Sequence, residues 1–301
     1  VAFIFYVNNL TWPFVSIGWV TSIIQRAEAS QQRINEFLNT KPSIVNPSDE
    51  TFDLRGDIEF KHVSFTYSNT GIKALKDVSF VIKSGQHLGI LGKTGSGKSS
   101  ILNLIGRQFD PNDGVIHINQ QALNTLNLKD YRSQIAVVPQ EVFLFSDTIR
   151  NNVAFGAHEH VTDEAIISAL TRSHVWHNIE EFTDRLDTQL GELGVNLSGG
   201  QKQRISIARA LIRNPRLLLM DDCLSAVDTE TEEIILNELR LLPHAPSIVM
   251  VSHRISTLRN CEQIIVLEDG EILEMGSPEE LMKLKGAYYE TYLQQLNEDQ
   301  A

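Results

Sequence analysis

A glycine-rich loop at residues 92–99 limits the possible folds more than any other part of the sequence. It lies in HLGILGKTGSGKSSILNLIGR, between a short apolar strand pattern and an amphipathic helix pattern. The three glycines of the loop let its backbone amides surround phosphate oxygens, and the following helix adds the positive end of its dipole. Lys98 is expected to reach the terminal phosphates of a nucleotide, and the hydroxyl of Ser99 can ligate magnesium. The stretch therefore predicts a strand, loop and helix that hold a nucleotide.

Three further apolar stretches end in polar residues. They are residues 134–140 ending in Gln140, residues 217–222 ending in Asp221 and Asp222, and residues 247–253 ending in His253. In a doubly wound parallel sheet, ligands bind outside the carboxyl ends of the strands, so these side chains should meet the nucleotide. Each also has a simpler explanation, as a turn cap, a helix start or a solvated strand end.

Local patterns predict further elements around this sheet. Residues 58–67 and 73–85 alternate apolar and polar side chains, as half-buried strands of an antiparallel sheet do. A hairpin is expected to turn at Asp269 and Gly270, and Ser277 to Glu280 to open a helix with a capping box.

The segment LSGGQKQRISIARALI at residues 197–212 predicts a second anion site. Ser198, Gly199 and Gly200 open a helix with a buried apolar face, and a helix start with bare amides can bind an anion. One nucleotide needs only one such site. An ordinary glycine-capped helix start is the alternative.

The amino-terminal residues 1–25 carry no charge, and this length of apolar chain is what one membrane helix needs. Asn8, Asn9 and Pro13 interrupt the segment. A transmembrane helix is expected here, with a secretory signal and a buried core helix as alternatives. Arg26 and Arg33 after the segment favour a cytoplasmic exit.

Charge and cysteine content exclude other classes. The chain has 26 Lys and Arg against 38 Asp and Glu, a net charge of -12, which is the wrong sign for a bulk nucleic-acid binder. No nucleic-acid partner is expected. The only two cysteines, Cys223 and Cys261, lie in hydrophobic segments and indicate no disulfide framework.

Five motifs taken together resemble the nucleotide-binding domain of ABC transporters. In chain order, the motifs are GKTGSGKSS, VPQ, LSGGQKQR, LLLMDDCLSAVD and SHR. Their order and spacing are those of the family, and the resemblance covers nearly all of residues 57–290. It implies an α/β fold, a P-loop NTPase (ABC ATPase) core with an antiparallel β subdomain and an α-helical subdomain. The domain is expected at residues 57–295, with its helical subdomain at about 147–213 and a tail at 296–301.

The segment before this domain resembles the end of a membrane domain. Residues 1–40 are similar to the last transmembrane helix of an exporter-type half-transporter, of the multidrug or lipid kind, with its cytoplasmic extension. Residues 41–56 would be the linker, and further membrane helices are expected to precede residue 1. The resemblance implies a protein of the inner or plasma membrane, in contact with lipid, with the ATPase domain in the cytoplasm.

The family resemblance also implies roles for single residues, with ATP as substrate and Mg²⁺ as cofactor. The residues expected to bind ATP are Tyr67, Gly92, Lys93, Thr94, Gly95, Ser96, Gly97, Lys98, Ser99, Ser100, Gln140 and His253. Those expected to close on ATP bound to a partner domain are Leu197, Ser198, Gly199, Gly200 and Gln201. Ser99, Gln140 and Asp221 are expected at the metal, and Asp222, His253 and Gln140 in catalysis. Tyr67 would stack on adenine, with a strand tyrosine packed on the sheet as the alternative, and residues 225–228 would cross between two ATPase domains.

One position departs from the family pattern. The family usually has Glu after the metal-binding Asp, where it positions or deprotonates the attacking water, and here Asp222 occupies that place. The shorter acid predicts a site that binds ATP well and hydrolyses it slowly. Because the LSGGQ segment is intact, a heterodimer with a second half-transporter subunit is favoured over a homodimer. A non-hydrolysing regulatory subunit and a soluble ABC ATPase are the rival functions, and the exported substrate stays open.

Overall fold

The structure is a computed structural model that describes residues 2–157, 161–194 and 196–298. Contacts within the chain divide it into two units, with the division between Val45 and Asn46. Residues 299–301 of the predicted tail lie outside the described part.

The first unit contains one long helix, α1, at Ala2–Asn39. It ends at Asn39, shortly before the linker predicted at residues 41–56. Among the described residues, none of the helices combines the length with the apolar character that a bilayer crossing demands.

The first sheet of the second unit is antiparallel, as predicted. Its strands, numbered along the chain, are β1 (Ile58–Thr66), β2 (Lys73–Ile82), β4 (Asp113–Ile118) and β5 (Gln121–Ala122). They lie in the order β2-β1-β4-β5. The alternating pattern buries side chains such as Phe60, Phe65 and Phe80 in the core on one face of this sheet.

The second sheet positions the site. Its strands are β3 (His87–Leu91), β6 (Ile135–Val138), β7 (Leu217–Asp221), β8 (Ser247–Ser252), β9 (Gln263–Glu268) and β10 (Glu271–Gly276). The order is β10-β9-β3-β8-β7-β6, and all neighbouring pairs are parallel except β9 with the edge strand β10. The carboxyl ends of β3, β8, β7 and β6 therefore meet at one edge, as the polar strand ends predict.

Helices cover this sheet and form a separate helical cluster. They are α2 (Lys98–Ile105), α3 (Leu128–Ser133), α4 (Ile149–Ala154), α5 (Asp163–Arg172), α6 (Trp176–Ile179), α7 (Gly199–Leu211), α8 (Thr229–Arg240), α9 (Ile255–Leu258), α10 (Pro278–Leu284) and α11 (Ala287–Glu298). Short 3₁₀ helices lie at Leu123–Thr125, Arg185–Asp187 and Glu192–Gly194. Side chains between Leu144 and Ala208 bury one another in a core separate from those of the two sheets. This core gives the helical part a packing of its own.

Two local predictions near the carboxyl end are confirmed. The hairpin between β9 and β10 turns at Asp269 and Gly270, which both have positive φ, 47° and 83°. Ser277 caps α10, and the side chain of Glu280 returns to the Ser277 amide to complete the capping box.

The segment before β1 is attached to the second unit by hydrogen bonds. The Asn46 side chain accepts from the Leu128 amide at 2.7 Å, at the start of α3. Gln134, which precedes β6, accepts from the Leu54 amide at 2.8 Å and donates to the Phe52 carbonyl at 2.7 Å. Residues 46–54 therefore lie against α3 and the start of β6.

Candidate nucleotide-binding site

The loop between β3 and α2 has a backbone that requires glycine at two positions. Gly97 has φ of 103°, and a Cβ there would lie 2.4 Å from the Ala74 carbonyl oxygen. A Cβ on Gly92 would lie 2.4 Å from the Leu267 carbonyl oxygen and 2.6 Å from the Ser96 hydroxyl. Both distances are shorter than carbon and oxygen tolerate. The loop can keep this close path only without side chains at these two places.

Lys98 is folded into the loop. Its ammonium group donates to the carbonyls of Gly92 at 2.7 Å and Lys93 at 2.8 Å. Burial lowers the pKa of Lys98, and the charges of Asp222 and Asp221 oppose that shift. The ammonium group of Lys98 therefore lies within the loop, on the side of Asp221 and Asp222.

Two polar features of the loop fit a phosphate group. The Ser96 hydroxyl is buried and, within the described part of the chain, has no hydrogen-bond partner. Gly97 caps α2 without a side-chain hydrogen bond, so no side chain caps the first amides of that helix. Buried polar groups without partners are rare in folded proteins. Phosphate oxygens would supply partners for both.

Ser99 and Asp221 meet between α2 and the end of β7. Burial raises the pKa of Asp221, and the Ser99 hydroxyl beside its carboxylate opposes that rise. Hydroxyl and carboxylate oxygens are the donors that Mg²⁺ prefers, so the pair fits this ion. Gln140, the third predicted metal residue, follows β6 at the same sheet edge with its side chain exposed.

Asp222 and His253 face each other at the ends of β7 and β8. The imidazole Nδ1 of His253 lies 3.0 Å from each carboxylate oxygen of Asp222. Asp222 has a left-handed backbone, with φ of 43°, and its amide donates to the Val251 carbonyl at 2.9 Å. The backbone is thus fixed, and the length of the side chain sets how far the carboxylate reaches.

Tyr67 combines an aromatic contact with a polar one. Its ring packs edge-on against Phe65 and Phe109, with centroids 4.7 and 5.3 Å away. Its hydroxyl lies 3.0 Å from the Ser100 hydroxyl, on the first turn of α2. The sequence did not predict this link between the aromatic side chain and the phosphate loop.

The second predicted anion site is a capped helix start. The Ser198 hydroxyl accepts from the Gln201 amide at 3.3 Å, and the Gln201 side chain accepts from the Ser198 amide at 3.0 Å. Leu197 is buried in the helical core. A Cβ on Gly200 would lie 2.9 Å from the Ala226 carbonyl oxygen. Among the described residues, no hydrogen bond joins residues 197–201 to the phosphate loop of the same chain.

Sequence reasoning missed the side chains that hold the loop at residues 225–228. Gln203 on α7 donates to the Ser225 hydroxyl at 3.2 Å and accepts from the Ala226 amide at 3.0 Å. Arg254, next to His253, donates to the Ser225 carbonyl at 2.9 Å. Both residues lie within predicted motifs, but no spacing in the sequence indicates that they meet.

Together these groups form one polar cluster at the carboxyl edge of the second sheet. A positive loop, a hydroxyl and carboxylate pair suited to magnesium, and an acid paired with a histidine lie at one sheet edge. They can bind a triphosphate and place an acid near its terminal phosphate. The capped start of α7 is a second polar surface without a phosphate loop beside it.

Known proteins share this architecture and sequence. Residues 75–225 match the ABC transporter family. The chain is 39% identical over 297 residues to the probable multidrug resistance ABC transporter ATP-binding/permease protein YheI of Bacillus subtilis, covering 98% of this chain and 50% of that protein. It is 40% identical over 291 residues to the multidrug resistance-like ATP-binding protein MdlA of Escherichia coli, covering 97% and 49%. A lipid A-core flippase of Mannheimia succiniciproducens is also 40% identical, over 95% of this chain and 49% of the flippase.

A solved structure of an ABC exporter has a similar fold. A bacterial Atm1-family ABC exporter with ATP bound superposes with a TM-score of 0.85 at 32% identity, over 90% of this chain and 48% of the exporter. The chain thus spans about half the length of the relatives it matches. The predicted ABC ATPase fold is confirmed. With half of its residues matched by that family and its loop, acid and histidine at one sheet edge, the chain belongs to the ABC transporter family and contains its ATP-binding domain.

Proposed function

We propose that this chain is the ATP-binding part of an ABC exporter, in which ATP binding and hydrolysis by a pair of ATPase domains drive export of a substrate across a membrane. The observation that carries the proposal is the meeting of Lys98, the Ser99 and Asp221 pair, and Asp222 with His253. Relatives named as a probable multidrug resistance ABC transporter and as a lipid A-core flippase support a membrane location. The ATPase domain is proposed at residues 57–295, on the cytoplasmic side.

The residues of the phosphate loop would bind the triphosphate, and Tyr67 would stack on adenine. Aromatic stacking on a base is worth about 1 to 3 kcal/mol. Ser99 and Asp221, with Gln140, would hold Mg²⁺, which when bound neutralises charge on the phosphate oxygens. The His253 imidazole would donate a hydrogen bond to the terminal phosphate.

The same chain would bind ATP firmly and hydrolyse it slowly. Both oxygens of Asp222 are directed at His253, and the carboxylate is one methylene shorter than the acid usual in this family. A catalytic base must come within about 2.6 to 3.2 Å of the proton it takes, directly or through one water. Asp222 would therefore hold the attacking water poorly.

An intact second polar surface supports pairing with a different subunit. The capping box keeps Ser198 and Gln201 in a fixed arrangement at the start of α7. That surface would complete the ATP site of a partner domain that carries the longer acid. The dimer would then have one slow site and one active site, and a homodimer would have two slow sites.

A non-hydrolysing regulatory subunit is the second candidate function. The contact between Asp222 and His253 favours it, because the acid already has a partner within the chain. In that case, ATP would join the two domains without turnover at either site.

Nucleotide binding and turnover separate these proposals. The chain is expected to bind ATP in a magnesium-dependent manner, and Lys98→Ala to abolish that binding at unchanged thermal stability. If the isolated chain hydrolyses ATP slowly and the rate rises when a second ABC subunit is added, the heterodimer is supported. Fast turnover by the isolated chain would refute the slow site, and no turnover with any partner would favour the regulatory subunit. Absence of ATP binding would refute the exporter function, the slow site with its heterodimer, and the regulatory subunit alike.

A further inference from the structure

The His253 side chain is held in place by few contacts of its own. Its side chain is 56% exposed, so packing does not fix the ring. The contact with Asp222 orients Nδ1 but requires that the backbone already present the ring toward the carboxylate. The position of the backbone after β8 therefore decides where the imidazole lies.

Gln295, on the carboxyl-terminal helix α11, binds this backbone on both sides of Arg254. Its amide nitrogen donates to the His253 carbonyl at 2.6 Å, and its amide oxygen accepts from the Ile255 amide at 2.9 Å. The Ile255 amide is at the first position of α9, and no side chain of the N-cap residue Arg254 caps that helix. One side chain thus supplies two backbone hydrogen bonds, one of them to a helix start that needs a partner.

Helix α11 is itself anchored, so Gln295 has a fixed base. The Glu274 carboxylate on β10 accepts from the amides of Ala287 and Tyr288 at the start of α11, at 2.6 and 3.1 Å. The Tyr288 side chain is buried in the core that also contains Ile255. The chain between Glu274 and Gln295 therefore connects the edge of the sheet to the loop after β8.

Other side chains fix the same loop from the opposite direction. The Arg254 amide donates to the Ser252 hydroxyl at 3.0 Å, and the Arg254 guanidinium donates to the Ser225 carbonyl at 2.9 Å. These contacts hold the segment against β8 and against residues 225–228. They leave the direction of the His253 carbonyl to be set by Gln295.

We infer that Gln295 is a positioning residue for His253: its amide fixes the backbone at residues 253–255 so that the imidazole faces Asp222. The effect on ATP turnover rests on the proposed function, whereas the effect on the imidazole does not. Both hydrogen bonds of the Gln295 amide go to the backbone at residues 253 and 255, so Gln295 would act on turnover only through His253.

Two variants and one control test the inference in the full chain. Gln295→Leu removes both hydrogen bonds at similar size. Gln295→Glu keeps the acceptor for the Ile255 amide but places a carboxylate against the His253 carbonyl. Asn297→Ala, at an exposed position on the same helix, is the matched control. The readouts are the side-chain nitrogen signals of His253, assigned through His253→Gln, hydrogen exchange at Ile255, and the kcat and KM for ATP.

Gln295→Leu is expected to shift the His253 signals, to speed exchange at Ile255, and to lower kcat by on the order of 10- to 100-fold with KM largely unchanged. Gln295→Glu is expected to shift the His253 signals while Ile255 stays protected, and this arm decides the matter if the leucine variant does not fold. Asn297→Ala should match the wild type. Unchanged His253 signals in either Gln295 variant that folds would overturn the inference. Shifted signals in a chain that binds no ATP would support the positioning role and refute the proposed function.

Discussion

Replacing Asp222 by Glu should accelerate ATP hydrolysis at this chain's own site. The Asp222 amide donates a hydrogen bond to the Val251 carbonyl at 2.9 Å, which fixes the backbone, so the added methylene extends the reach of the carboxylate. One more carbon–carbon bond is about 1.5 Å long and, because the chain bends at each carbon, extends the reach by about 1.3 Å. A displacement of about 1 Å in a catalytic group can change a rate by on the order of 100-fold.

That rate change equals about 2.7 kcal/mol in activation free energy. The comparison is best made in single turnover with the homodimer, where both sites contain residue 222. Excess enzyme makes the result independent of product release. ATP affinity should stay the same, because Lys98 and the glycine loop do not change.

Asp222→Asn is the control, since it keeps the size of the side chain and removes its charge. It should hydrolyse ATP no faster than the wild type. If Asp222→Glu also fails to exceed the wild-type rate while binding ATP normally, the geometric reason given for the slow site is wrong.

Three further changes test other parts of the account. Gly97→Ala places a Cβ about 2.4 Å from the Ala74 carbonyl at a positive φ, so it should abolish ATP binding and lower the melting temperature, measured by calorimetry. Tyr67→Ala should weaken ATP binding by about 1 to 3 kcal/mol in titration calorimetry, whereas Tyr67→Phe should keep most of the affinity because the ring stays. The Lys83 ammonium lowers the pKa of Asp57, chiefly through a hydrogen bond at 2.7 Å, so the carboxylate stabilises the fold above its unfolded pKa. Asp57→Asn should therefore lower stability at neutral pH by no more than about 1 kcal/mol, and the difference from wild type should disappear as the pH falls through the lowered pKa.

The sequence predicted the parts of the site that depend on short segments. Strand ends carry their polar residues to one edge in any parallel sheet, so the apolar runs predict that Gln140, Asp221 and His253 lie at the same edge. The glycine loop and the Ser198 capping box are also local, because each is formed by residues within a few positions of one another.

Contacts between distant segments could not be predicted. Gln295 lies 42 residues after His253, and nothing in its helical neighbourhood distinguishes it from the adjacent Gln294. The bond from the Leu128 amide to Asn46 spans 82 residues in the same way. Only the three-dimensional fold brings such pairs together.

The central claim is that the start of α7 completes an ATP site on a second ATPase domain. An experimental structure of the Asp222→Asn protein in its dimer with ATP and Mg²⁺ tests this most directly, through the distance from the Ser198 hydroxyl to the terminal phosphate. The account predicts a hydrogen bond, about 2.7 to 3.0 Å, to the triphosphate held by the other domain. A dimer in which Ser198 faces solvent, with no triphosphate in contact, would contradict it.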